Sequence, residues 1–403
     1  MKYLILVPDG AGDEKIQELG GKTPLQAANI INMDKLAHKG QVGMVQTIPE
    51  GIAPGSDAAN LSVMGYDPAV YLTGRSPLEA VSMGIQMEDT DVAFRTNLVT
   101  LVGDGSYEDL TITDHSAGDI TNEEAKILIE AVQEQFGTDT LRFYPGVSYR
   151  HALIVKNGAI DYDLTPPHDV LTQKVGDHLP RGEGSDFITK MMKESYKILA
   201  SHPINLERIK KGLNPANSIW IWGQGRKPNL SSFYDKYGIK GTTISAVDLI
   251  KGIGLCAGLD SIDVEGATGT IHTNFEGKAQ ATINEYKKGK DFVYLHLEAP
   301  DECSHQGDLQ GKIKSLELID KKVLKPILDY LYGTGEAFKV LIVPDHRTPL
   351  SIRTHSGDPV PFVIYHSENE ETELSDRRFD EVSGEKGRFF SNGYELADYF
   401  FGK

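Results

Sequence analysis

Cysteine is almost missing from this chain, with only Cys256 and Cys303 among 403 residues. Two thiols make no disulfide framework, and a reducing cytoplasm is the expected setting. Basic residues are also outnumbered: 41 Lys and Arg face 58 Asp and Glu, for a net charge of −17. That balance argues against sequence-independent nucleic-acid binding, which needs a basic surface. It leaves an anionic small substrate open, because a local arginine pocket or a metal overrides the global field. No stretch approaches the roughly 20 apolar residues that cross a bilayer, so no membrane partner is expected. The opening MKYLILVPDG is too short in its apolar run for a signal-peptide core and reads as a first strand. Also missing is a GxxxxGK[ST] nucleotide loop, which weakens a conventional kinase reading.

What is present is alternation. Short apolar runs at 2–7, 218–223, 242–247, 291–297, 339–344 and 361–365 read as core strands. Several are continuous rather than alternating, as strands buried on both faces are. Helical patterns lie between them, at about 24–39, 57–65, 122–136, 185–201, 274–288 and 309–332. The expected class is α/β, with a mostly parallel central sheet flanked by helices. Residues 85–205 differ in texture, with amphipathic helices, a strand at HALIVK and loops rich in Pro, Gly, His and Asp. They read as an inserted α+β lobe, interrupting a core built from 1–84 and 206–403.

Three strands end in the same chemistry. The first runs into Asp9; that at 291–297 runs into EAPDECSHQGD, with Asp301 and His305; that at 339–344 runs into Asp345 and His346, with His355 downstream. Ligands in open α/β sheets bind outside the carboxyl ends of strands, so the fold would collect these residues along one edge. Asp301 and His305 share a face if a helix begins there. Mixed carboxylate and imidazole donors suit Mn²⁺ or Zn²⁺. Six candidates exceed what one tetrahedral ion uses, which favours two ions. Each residue alone reads equally as a polar turn, and His38, His168 and His178 read as structural or solvated. Ser56, in APGSDAAN, has two readings: a nucleophile supported by a helix N-terminus, or an ordinary helix cap.

These motifs, together with YLTGRSPLEA, DHSAGDIT, IWGQGRKPNL, GATGTIHTNFEGKAQA, PDHRTP and THSGDPVPF, resemble the archaeal-type cofactor-independent phosphoglycerate mutases of the alkaline phosphatase superfamily. The match runs over nearly the whole chain. The resemblance implies an alkaline-phosphatase-like core in which Ser56 carries a phosphoryl group. One divalent ion, typically Mn²⁺ with Zn²⁺ or Mg²⁺ as alternatives, would be held by Asp9, Ser56, Asp345 and His346. The other would be held by Asp301, His305 and His355. Arg150, Arg181, Arg226 and Lys251 are the implied substrate clamps, and His115 an implied acid–base group. Asp119 departs from the family pattern, which often has His or Arg there. The implied reaction interconverts 3- and 2-phosphoglycerate through a phosphoserine, without 2,3-bisphosphoglycerate. Two alternatives use the same machinery, a homoserine kinase-like phosphotransferase and a metal-dependent phosphatase.

Overall fold

The computed structural model describes residues 1–368 and 376–403. The chain divides into two compact units, Met1–Leu72 with Asn229–Lys403, and Thr73–Pro228. In the first unit an eight-stranded sheet runs, from edge to edge, Arg388–Phe390, Gln41–Val45, Val360–His366, Phe338–Ile342, Lys2–Pro8, Phe292–Leu297, Gly241–Ile244 and Asp260–Ile262. Lys2–Pro8 lies at its centre, parallel to both Phe292–Leu297 and Phe338–Ile342. Among the described residues, only Val360–His366 runs antiparallel to both strands beside it. The continuous apolar character of the central strands follows from burial on both faces, since Leu4, Ile5, Leu6 and Val7 are all fully buried. Because these three strands point the same way, Asp9, Glu298 and Asp345 all emerge at one edge.

The second unit is built on a five-stranded sheet. Val92–Val102 pairs antiparallel with Thr111–Asp114, Arg150–Val155 and Ser218–Arg226, and Leu141–Val147 completes the sheet beside Arg150–Val155. This unit is wider at both ends than the 85–205 insertion expected. The apolar run at 218–223, expected in the core sheet, instead pairs with Val92–Val102. Segment 73–84 goes with it, because Ser76 bonds the Gly223 carbonyl and Glu79 pairs with Arg95. Two helix expectations also change. The helix expected over 24–39 is two helices, Pro24–Ala27 and Ile31–Lys39, because the backbone turns extended at Ala28 and residues 28–30 break the run. The helix expected over 309–332 is continuous but shifts to π geometry at Ile319–Leu324 before Lys325–Thr334. Pro326 lacks an N–H and crowds the preceding turn, and a wider turn relieves both.

Candidate metal centre

The carboxyl edge of the first unit's sheet gathers the six sequence-derived donors. Asp9 follows Lys2–Pro8 and is anchored by its own amide, which donates to Leu297 O (2.9 Å). Asp301 and His305 lie on the helix Ala299–Gln306, four apart, with Asp301 Oδ2 3.1 Å from His305 Nε2. Asp345 and His346 follow Phe338–Ile342 and are fully buried. One donor group comprises Asp9, Asp345 and His346 and a second comprises Asp301, His346 and His355; within each the ligand atoms lie within 4.8 Å of one another. His305 Nε2 extends the second, 3.1 Å from His355 Nε2. Gly10, at φ +63°, permits this crowding, since a Cβ there would sit 2.5 Å from Thr348 Oγ1 and 2.7 Å from Asp301 Oδ1.

Ser56 is the first residue of the helix Ser56–Val63, and the cap position belongs to Gly55. The ordinary-cap reading of Ser56 therefore fails. Its hydroxyl instead lies 3.1 Å from His346 Nε2. Four residues on, Asn60 donates its amide to Ser56 O and to Asp345 Oδ2, each at 2.8 Å, and accepts from Tyr294 Oη at 2.6 Å.

The electrostatics fit a cation. Burial, then the charge of Asp345, pushes Asp9 well above the usual carboxylate range. Asp345 goes the other way despite its burial, because His346 and His296 favour its charged form. Its Oδ1 also accepts from the amides of Gly10 and His346. Two buried carboxylates with only one set of donors between them call for positive charge. Asp9 Oδ1 is buried with no hydrogen-bond partner among the described residues, as is His296 Nε2, which stands 3.2 Å from Asp9 Oδ2. Such orphans in a mixed oxygen and nitrogen pocket fit a divalent ion. Burial lowers the His346 pKa, against the opposing pull of Asp345 and Asp301.

Lys251 stands in the same unit but is already paired, with Asp263 at 2.6 Å and Asp248 at 3.5 Å. Burial lowers its pKa and these two carboxylates more than offset that, so the net shift is upward. Lys278, which the sequence reading passed over, is fully buried and donates to His296 O (3.1 Å). Burial lowers its pKa to about 8. A lysine on the buried face of Phe275–Lys287, beside Phe275, Ala279 and Thr282, was the available signal. His296, buried within an apolar strand, was the other residue missed.

The remaining candidates belong to the second unit. The His115 ring lies 5.6 Å from that of Tyr149 and 6.0 Å from that of His168. Arg150 is exposed, 5.7 Å over Tyr149. His168 is exposed, as a solvated loop residue is, with its ring meeting Trp222 edge-on at 5.3 Å. Arg226 donates to Gly158 O (3.1 Å), while its Nε is buried without a partner among the described residues. Arg181 is exposed and donates to Asp177 O (3.1 Å).

An α/β core that presents clustered carboxylates, imidazoles and a helix-terminal serine at its strand ends defines a class of candidate metalloproteins. A model of one family, described as 2,3-bisphosphoglycerate-independent phosphoglycerate mutase, matches residues 37–205. The chain is 50% identical over 388 residues to the Methanosarcina barkeri protein of that name, covering 96% of each. Its fold is similar to that of a Pyrococcus horikoshii protein (TM-score 0.82, 30% identity, 100% of this chain and 97% of that one). It is also similar to a cofactor-independent phosphoglycerate mutase from Thermoplasma acidophilum (TM-score 0.67, 28% identity, 100% and 99%). The chain belongs to the 2,3-bisphosphoglycerate-independent phosphoglycerate mutase family. No helix among the described residues is long and apolar enough to cross a membrane.

Proposed function

We propose that the protein interconverts 3- and 2-phosphoglycerate by phosphoryl transfer through Ser56, with two divalent ions, Mn²⁺ first among them. The observation that carries this reading is the Ser56 hydroxyl at a helix N-terminus, 3.1 Å from His346 in the buried carboxylate–imidazole cluster. Asp9, Ser56, Asp345 and His346 would hold one ion, and Asp301, His305 and His355 the other. Bound there, the ions would lower the pKa of the Ser56 hydroxyl and neutralise charge on the transferring oxygens. Ser56 Oγ attacks the phosphorus of 3-phosphoglycerate, the bond to the 3-oxygen breaks, and phosphoserine and glycerate result. The glycerate 2-oxygen then attacks the phosphoserine, and Ser56 is restored. Lys278, fully buried with its ammonium on His296 O, would supply positive charge behind the cluster. For holding the anionic substrate we assign Arg150, Arg181, Arg226 and Lys251, with His115 as the acid–base group.

With Mn²⁺ supplied, purified protein is expected to equilibrate the two phosphoglycerates, followed by ³¹P NMR, and to stop when EDTA is added. Phosphohomoserine formed from homoserine and a phosphate donor, without phosphoglycerate interconversion, would sink the mutase reading. Rapid release of inorganic phosphate would favour a hydrolase.

Ion binding is expected to depend on pH through His305. Its hydrogen bond to Asp301 raises its pKa to about 9, and a ligating imidazole must be neutral. A raised histidine pKa stabilises the ion-free fold fully below about pH 6.5, and that contribution is lost as pH rises through about 9. Mn²⁺ affinity should climb over the same window, as fewer protons compete. Thermal unfolding with and without Mn²⁺ reads both, and a gap in Tm that stays constant from pH 6.5 to 9 would count against His305 as a ligand.

A further inference from the structure

Thr348 lies two residues beyond His346, and its hydroxyl touches both donor groups. Its Oγ1 donates to Asp301 Oδ1 at 2.5 Å and lies 3.2 Å from His346 Nδ1. A hydroxyl has one proton, and an ionised carboxylate only accepts. With that proton on the Asp301 side, the contact to His346 is a hydrogen bond only when Nδ1–H donates to Oγ1. The other nitrogen, Nε2, is then left with its lone pair, and Ser56 Oγ, 3.1 Å away, donates to it. That same nitrogen stands 3.5 Å from Asp9 Oδ1 and 3.4 Å from Asp345 Oδ2.

The geometry points to Thr348 as a positioning residue that couples the two cation sites, its hydroxyl fixing the His346 tautomer on one side and the Asp301 carboxylate on the other. The relay reads Asp301 Oδ1, Thr348 Oγ1–H, His346 Nδ1–H, with His346 Nε2 free to bind an ion. Thr348 is itself buried and held through its backbone: its amide donates to Gly12 O (3.2 Å), and its carbonyl accepts from the buried Lys312 ammonium (3.0 Å). An ion pulling on Asp301 moves the acceptor of the relay, and so changes the bond that orients His346. This inference rests on the two-ion reading above.

The test uses the full chain and Mn²⁺ alone, with binding followed by calorimetry and thermal unfolding measured without metal. Thr348→Val keeps the shape and removes the hydroxyl. It should weaken binding of the ion held through His346 by about ten- to a hundredfold, and Thr348→Ser should restore it, with the ion-free Tm of both variants near that of the unmodified protein. Occupancy of the two sites should also become independent in Thr348→Val. Unchanged Mn²⁺ affinity at both sites in Thr348→Val would overturn the proposal. Equal loss in the valine and serine variants, with a lowered ion-free Tm, would overturn it too, since packing rather than the hydroxyl would then be responsible. If the unmodified protein binds no Mn²⁺, the two-ion reading fails instead.

Discussion

Ser56→Ala is expected to reduce phosphoglycerate interconversion to background, a loss on the order of 10⁴-fold or more, as for other covalent nucleophiles. The reason is geometric. Ser56 is half-buried at the start of its helix, and its hydroxyl lies 3.1 Å from His346 Nε2. The other hydroxyl at this cluster, that of Thr348, is buried and engaged with Asp301. Asp9, Asp345 and His346 remain in the variant, so the ion that Ser56 would help to hold should bind more weakly but not be lost. Loss of turnover that persists at saturating Mn²⁺ would separate the role of Ser56 as nucleophile from its role as a ligand. Turnover within tenfold of the unmodified protein would rule out a phosphoserine at position 56.

The second large effect is on stability. Lys312 is fully buried on the helix Leu309–Leu318, with its ammonium on Asp13 Oδ2 at 2.7 Å, Thr348 O at 3.0 Å and Gly12 O at 3.3 Å. It ties the loop after the first strand to the loop that follows Asp345 and His346. Lys312→Met leaves the Asp13 carboxylate buried without its cation, and breaking a buried pair from one side costs about 3–5 kcal/mol. The urea midpoint of the metal-free protein should fall accordingly. Adding Asp13→Asn removes the stranded charge while keeping an acceptor for the Glu14 and Leu350 amides, so it should recover part of the loss. A single variant that unfolds at the original midpoint would show that the pair contributes nothing net.

Much of the site was legible because strands announce their own ends. Apolar runs that stop at Asp9 and Asp345 mark the carboxyl edge of a parallel sheet, and that edge is where ligands collect. The four-residue spacing of Asp301 and His305 is a local helical property, and the helix Ala299–Gln306 realises it. The strand at 218–223 was legible as a strand but not as to its sheet. Periodicity reports how a segment is buried, not which distant segment buries it, and Val92–Val102 lies more than a hundred residues away.

The sequence by itself determined the class of fold and marked the six candidate donors and the candidate serine, since each is encoded in a short window of pattern and residue type. Tertiary structure alone decided what holds them. Asn60 bonds Asp345 across 285 positions, Lys312 bonds Asp13 across 299, and His296 is an apolar-strand residue until Asp9 stands beside it. It also decided that Gly55 rather than Ser56 occupies the cap, which leaves the hydroxyl free for chemistry. A buried polar group is defined by its partner, and the partner exists only once the chain has folded.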